Sequence, residues 1–287
     1  MDDRNPQGDS AGRGAGRGAG HATRTAGVAT AIALVASPVA LRLSGDPTAY
    51  ALPLLLGVLA LAGRHGMDRR AIGLRLGRGA YSIATLHPLL VVGAVVWLST
   101  LVGATRVGVV GLGTLALQIM SMAALTAIGT LVTEDGFFRG VLWGLLDRDG
   151  RSTDAILLWT SGAYALWYLP LMVMDPTLSG SPEALAVHGL NVWLLGMCWG
   201  VLRLATGSVL VVAWAHGLWS GLAYTLFGYG PAAGALGVTD ALRFDPERGW
   251  AGVALNAAAF LLLWRWWRAG RTASPAADQA LDGADAT

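Results

Sequence analysis

Lysine is absent from this 287-residue sequence, and all twenty basic residues are arginine. Only three glutamates occur, Glu134, Glu183 and Glu247, and charged residues of every kind make up 13% of the chain. Soluble domains carry about a quarter, so a water-soluble globule is excluded. The single cysteine, Cys198, lies in an apolar stretch, which rules out an intramolecular disulfide and says nothing of redox compartment. Forty glycines follow no Gly-X-Y period, so a collagen-like chain is excluded too. The arginines do not gather into a nucleic-acid surface. They sit in the tails and at the ends of apolar runs, where membrane topology places them.

Apolar residues make up 54% of the sequence, and tryptophan, at 12, outnumbers tyrosine and phenylalanine together. Apolar runs fall near 26–42, 47–64, 83–104, 108–133, 153–173, 185–203, 207–229 and 250–267. At roughly 20 residues per span, eight spans need about 160 residues. The expected fold is therefore all-α, a polytopic transmembrane bundle of about eight spans over 26–269, with the lipid bilayer as its first partner. The Gly/Arg-rich tail 1–25 and the Ala/Asp-rich tail 270–287 read as disordered. Because the first run is short and contains Pro38, a cleaved leader followed by seven spans is the competing reading. Arginine placement tests the segmentation independently. With both termini inside, eight spans put fifteen arginines on the cytoplasmic side and four outside, with Arg139 left over. A bacterial-type cytoplasmic membrane is the expected location.

Small residues recur at i, i+4 in Gly136/Gly140/Gly144, Gly196/Gly200 and Gly217/Gly221, spacings that let helices approach closely in lipid. Polar residues beside or inside apolar runs carry the functional signal, because they are costly there. Glu134 follows the fourth run, in LVTEDGFFRGVLWGLL. Its neighbour Asp135 precedes Arg139 by one helical turn, the favourable order for an ion pair, which leaves Glu134 facing elsewhere. An interfacial acid facing water is the bland alternative for Glu134. His216 and Ser220 share a helix face between Trp214 and Trp219, where a lone histidine is more often an interhelical hydrogen-bonder than a catalyst. Tyr164 and Tyr168 share another face, which read alone suggests an interfacial belt. His188 and Asn191 read as a helix-start and interface feature, and His87, before Pro88, as packing.

Taken in order, these clusters resemble the CPBP family of intramembrane proteases, which groups CAAX prenyl proteases with bacteriocin-processing enzymes. Glu134-Asp135-Gly-Phe-Phe-Arg139-Gly140 resembles its E-E-x-x-x-R-G motif, and Tyr164-Ala-Leu-Trp-Tyr168 its F-x-x-x-H motif. Thr206-Gly207-Ser208 followed by His216-x-x-x-Ser220 resembles its closing T-G-S…H-x-x-x-N/D segment. The likeness covers roughly 120–228. Three positions depart from it: Asp135 stands for the second glutamate, Tyr168 for the motif-two histidine and Ser220 for the final Asn or Asp. The resemblance implies that Glu134 activates water for peptide hydrolysis, with Asp135 and Arg139 as structural support. It implies too that His216, with the groups at 168 and 220, positions water and stabilises the oxyanion. A divalent metal such as zinc enters only through the resemblance. Such a site usually takes three protein ligands, and only Glu134 and His216 stand at matching positions.

Tyr168 and Ser220 each offer a hydroxyl donor suited to an oxyanion, but neither replaces an imidazole as proton shuttle. The expected function is thus an intramembrane endopeptidase of the CAAX type, acting on a membrane-associated peptide or protein. A catalytically silent relative that binds such a partner through the same cavity is the alternative. A small-molecule permease using Glu134 and His216 as a relay is a third reading, opposed by the missing internal repeat.

Overall fold

The computed structural model describes residues 20–77, 80–106, 108, 111–174, 181–229 and 232–272. Most of both tails, 1–19 and 273–287, therefore lies outside the described residues. Helix α1, His21–Ser44, starts five residues before the apolar run anticipates and closes at Gly45, whose φ of 67° is open to glycine without steric cost. A 3₁₀ turn, Pro47–Ala51, leads into α2, Leu52–Arg64, and the one-turn α3 is Arg69–Ile72. Then come α4, Tyr81–Leu101, and α5, Leu112–Val132. After α5 the chain winds through a π-helical turn, Gly136–Val141, into α6, Leu142–Arg148. Helices α7, Thr153–Met174, α8, Pro182–Thr206, and α9, Val209–Phe227, follow. A two-residue hairpin pairs β1, Gly228–Tyr229, antiparallel with β2, Ala232–Ala233, before the one-turn α10, Ala241–Phe244, and the long α11, Trp250–Thr272.

Each apolar run coincides with a helix, but length and composition separate them. Among the described residues, six helices, α1, α4, α5, α7, α8 and α9, are long and apolar enough to cross a membrane. The stretch Thr48–Arg64 is apolar but short. Helix α2 rises only about 20 Å at 1.5 Å per residue, against roughly 30 Å of hydrocarbon. Helix α11 has the length but ends in arginines, Arg265 and Arg268 among them.

The bundle is built around α8 and α9, whose membrane windows are the most buried of the six. One tight junction joins them. Gly207, at φ 61°, ends α8, and Ser208 caps α9 by accepting the Val211 amide. At the other end of α8, Ser181 accepts the Ala184 amide, with Pro182 in the first turn. Glycines set the closest approaches. A Cβ on Gly217 would stand 2.3 Å from the Ala123 carbonyl oxygen, and one on Gly221 2.5 Å from that of Ile119, so α9 packs backbone to backbone on α5. Gly200 likewise admits Leu157 of α7, and Gly144 admits the backbone of Ala71. Helix α5 turns most of its surface outward, with Leu117, Leu125 and Ile128 exposed and only Ala123 and Thr130 buried.

Aromatic rings fill the centre. Trp167, Trp199, Trp219, Phe137 and Phe138 are essentially inaccessible. Tyr50 donates to the Trp167 carbonyl and the Trp167 indole donates to Ser37 Oγ at 2.8 Å, tying α1 and the 3₁₀ turn to α7.

Candidate active site

The π-helical turn presents the acidic motif. An α-helix that widens to a π turn rotates the residues beyond it, and here the break at Thr133 (φ −115°, ψ −96°) precedes Glu134 and Asp135. Gly136 is required at the crossing, since a Cβ there would lie 2.5 Å from the Leu131 carbonyl oxygen. Asp135 and Arg139, both fully buried, pair at 3.5 Å one turn apart, the partnership that the sequence spacing anticipates. Spacing does not reveal the second partner of Asp135. His216 Nδ1 approaches Asp135 Oδ2 at 3.1 Å, joining α9 to the turn.

Arg139 is held mostly by ring faces. Its guanidinium lies 4.2 Å from the Tyr164 ring centroid and 5.5 Å from that of Trp199. Close passage of Gly196 leaves it room, the built Cβ there coming to 3.2 Å from an Arg139 terminal nitrogen. Trp199 also stacks on His216, with centroids 3.9 Å apart and planes 23° from parallel. The imidazole is thus fixed in plane by a ring on its face and in rotation by a carboxylate on its edge. A neutral histidine oriented through Nδ1–H has Nε2 left as an acceptor.

Glu134 lies half-buried in this group, and its Oε2 is buried without a hydrogen-bond partner. The Tyr164 hydroxyl approaches the same carboxylate, which interacts electrostatically with His216 and Tyr168. Tyr164 and Tyr168 meet edge to face at 5.2 Å, and Tyr164 meets His216 in the same way at 6.4 Å. Tyr164 is therefore an interior residue and Tyr168 a half-buried one packed against it. Ser220 Oγ is buried without a closed hydrogen bond, beside Tyr224. The structure brings all six sequence-derived residues, Glu134, Asp135, Arg139, Tyr168, His216 and Ser220, into one neighbourhood drawn from the π turn, α7 and α9.

The Thr206-Gly207-Ser208 segment stands apart from that cluster and acts as a clamp. Arg75 Nε donates to the Gly207 carbonyl at 3.0 Å, Ser208 Oγ donates to the Arg75 carbonyl, and the Val209 amide reaches Gly73 at 2.9 Å. One turn before it, Arg203 Nε donates to the Arg139 carbonyl at 3.0 Å. The arginine-rich segment after α2 is thereby fastened under the π turn.

A second polar cluster escapes the sequence reading. Glu247 is buried and accepts contacts from His188 Nε2 and Trp219 Nε1, each at 3.3 Å. Asn191, far from being a helix-start feature, is fully buried and bonds Gly249 and Asn256, so that α8 and α11 close on each other. Tyr224 lies between the clusters, within electrostatic reach of both Glu247 and Glu134. The only cue in the sequence is the rarity of glutamate.

A metal centre does not suit this donor set. Among the described residues no three His, Cys, Asp or Glu side chains gather as a bound ion requires. Asp135 is committed to Arg139 and His216.

Comparison with known proteins fits this geometry. Residues 116–222 match the family of type II CAAX prenyl endopeptidases described as Rce1-like. The matched segment runs from α5 to α9 and contains every residue of the first cluster. No curated protein and no solved structure matches the chain.

Proposed function

We propose, from the match of residues 116–222 to the Rce1-like type II CAAX prenyl endopeptidases, that the chain is an intramembrane endopeptidase of the CPBP type cleaving a membrane-associated peptide or protein. The observation that carries the proposal is Glu134: a carboxylate with a buried, unpartnered oxygen amid polar groups from three helices. Such a carboxylate is suited to act as a general base. Water held between Glu134 and His216 Nε2 gives its proton to Glu134 as its oxygen bonds the scissile carbonyl carbon. The tetrahedral oxyanion then accepts hydrogen bonds from Tyr168 and Ser220. Collapse breaks the C–N bond, and Glu134 passes the proton to the leaving amine, so that one water is consumed and Glu134 is regenerated. Asp135 positions His216, and Arg139 holds Asp135.

This reading includes eight membrane passages with both termini on the cytoplasmic side of a bacterial-type plasma membrane. The arginine asymmetry and the match of eight apolar runs to eight helices support it. The test is proteolysis of a membrane-inserted reporter peptide by purified protein. Glu134→Gln keeps the shape and removes the base, and activity should fall by about 10²–10⁴-fold. Cleavage that persists undiminished refutes the assignment. A silent relative is the second reading, favoured by the hydroxyl of Tyr168 where the family has an imidazole. It predicts no cleavage by either protein.

A further inference from the structure

One cavity among the described residues belongs to no part of that mechanism. It is a groove of about 840 Å³ between α1 and α2, open along one side, with Phe137 of the π turn at its floor. Its walls are Val28, Ile32, Leu56, Ala60 and other apolar side chains, while one end is cationic, lined by His21, Arg24 and Arg64. The cationic crowding is physical. Burial and the charges of Arg64, His21 and Arg148 hold the His65 imidazole, beside that end, below its usual pKa. The nearby acid, Asp149, is engaged by the Thr23 hydroxyl and the amides of Gly20 and Thr23. From Arg24 to Ala36 the groove follows thirteen residues of α1, twelve rises of 1.5 Å or about 18 Å. One leaflet of the hydrocarbon core is roughly 15 Å deep, half of ~30 Å.

A long apolar trough of one leaflet's depth, ending in two exposed arginines and a histidine, matches one kind of occupant. We propose that this groove is a binding site for an anionic phospholipid, its phosphate held by Arg24 and Arg64 and an acyl chain laid along α1 and α2 against Phe137. A lipid that merely surrounds the protein gains nothing from its headgroup, whereas a built site selects it. Each arginine near a membrane surface favours an anionic lipid by about fivefold, so two should give a preference of at least tenfold.

The experiment uses the full chain in detergent, with phosphatidylglycerol or phosphatidylcholine added, read by native mass spectrometry and by the unfolding temperature. The expected result is at least tenfold greater retention of phosphatidylglycerol and a rise in unfolding temperature that phosphatidylcholine does not give. The double variant Arg24→Gln/Arg64→Gln should abolish the preference. Ala60→Trp fills the groove from an exposed position and should reduce retention of both lipids. Equal retention of the two lipids by the natural chain overturns the proposal, as annular lipid only. So does a preference that survives both variants. A halving of the oligomeric mass on Ala60→Trp also overturns it, in favour of a second copy seated in the groove. None of these outcomes depends on proteolysis.

Discussion

Asp135→Asn tests the electrostatic frame of the site. The substitution preserves volume and an acceptor for His216 but removes the carboxylate paired with Arg139. Arg139 is 0% exposed, so the freed cation cannot reach water without opening the bundle. Breaking a buried ion pair from one side typically costs about 3–5 kcal/mol. The ring faces of Tyr164, at 4.2 Å, and Trp199, at 5.5 Å, already contribute in the natural chain, so they do not compensate for the loss. A fall of about 3 kcal/mol corresponds to a folded-to-unfolded ratio about 150-fold smaller. Titration of the chain in mixed micelles with increasing dodecyl sulfate, followed by tryptophan fluorescence, measures it. The double variant Asp135→Leu/Arg139→Leu removes both charges and should recover at least half of the loss. Should Asp135→Asn unfold within about 0.5 kcal/mol of the natural chain, the aromatic cage alone suffices for Arg139 and the ion pair is incidental. Should the double variant be less stable than the single one, Arg139 contributes chiefly by packing.

Three further outcomes are expected. Gly217→Val places methyls against the Ala123 carbonyl and Ala127 and should cost about 1–3 kcal/mol by overpacking, whereas Gly93→Val, with open space around it, should remain close to neutral in the same titration. The hydrogen bond from the Thr23 hydroxyl, opposed by burial and aided by the Thr23, Gly20 and Ala22 amides, holds the Asp149 carboxyl below its usual 3.8. A lowered folded-state pKa gives stability that is present above 3.8 and lost as pH falls through the folded value, so amide exchange at residues 20–25 should accelerate there, and Asp149→Asn should show fast exchange already at pH 6. Tyr168→His with Ser220→Asn restores the family's residues at both departures. Cleavage seen only in that variant would assign the silent reading to the natural chain, whereas cleavage by both would make the two hydroxyls working replacements.

The parts of this molecule legible in the sequence are those set by local spacing. Apolar runs gave every long helix, and the i, i+4 glycines of 217/221 and 196/200 fall where helices touch. The Asp135–Arg139 pair follows from one helical turn. Contacts between distant segments were not legible. Nothing local says that His216 reaches Asp135, 81 residues away, or that Glu247 folds inward to His188. The tyrosines misled for the same reason, because an aromatic near a helix end has the same pattern whether it meets lipid headgroups or Arg139. Membrane passage of α2 and α11 is the part of the span count that length and composition leave open, since α2 has thirteen residues and α11 ends in arginines.

Polar atoms of the described interior are distributed unevenly, and that unevenness is informative. Buried side-chain atoms without a hydrogen-bond partner include Thr130 Oγ1, Glu134 Oε2, Asp135 Oδ1, all three guanidinium nitrogens of Arg139, Ser161 Oγ and Ser220 Oγ. These eight of fourteen such atoms belong to the end of α5, the π turn and the residues before it, α7 and α9, the elements that meet at the proposed site, while the other six lie on His65, His87, His188, Trp199 and Asn256. Leaving such an atom unsatisfied costs about 1–3 kcal/mol, so a bundle selected for stability alone would replace them with apolar groups of similar shape. The surrounding frame of Phe137, Phe138, Trp167 and Trp199 is buried, and in such a frame each remaining dipole acts with little screening. A π turn, inherently weaker than the α-helix it interrupts, persists at the same place. Rigid apolar walls around under-satisfied polar groups are what a reaction with developing charge requires, because the groups need not reorganise when that charge appears. The cost in stability and the capacity for catalysis therefore share one origin, and Glu134 lies where both are concentrated.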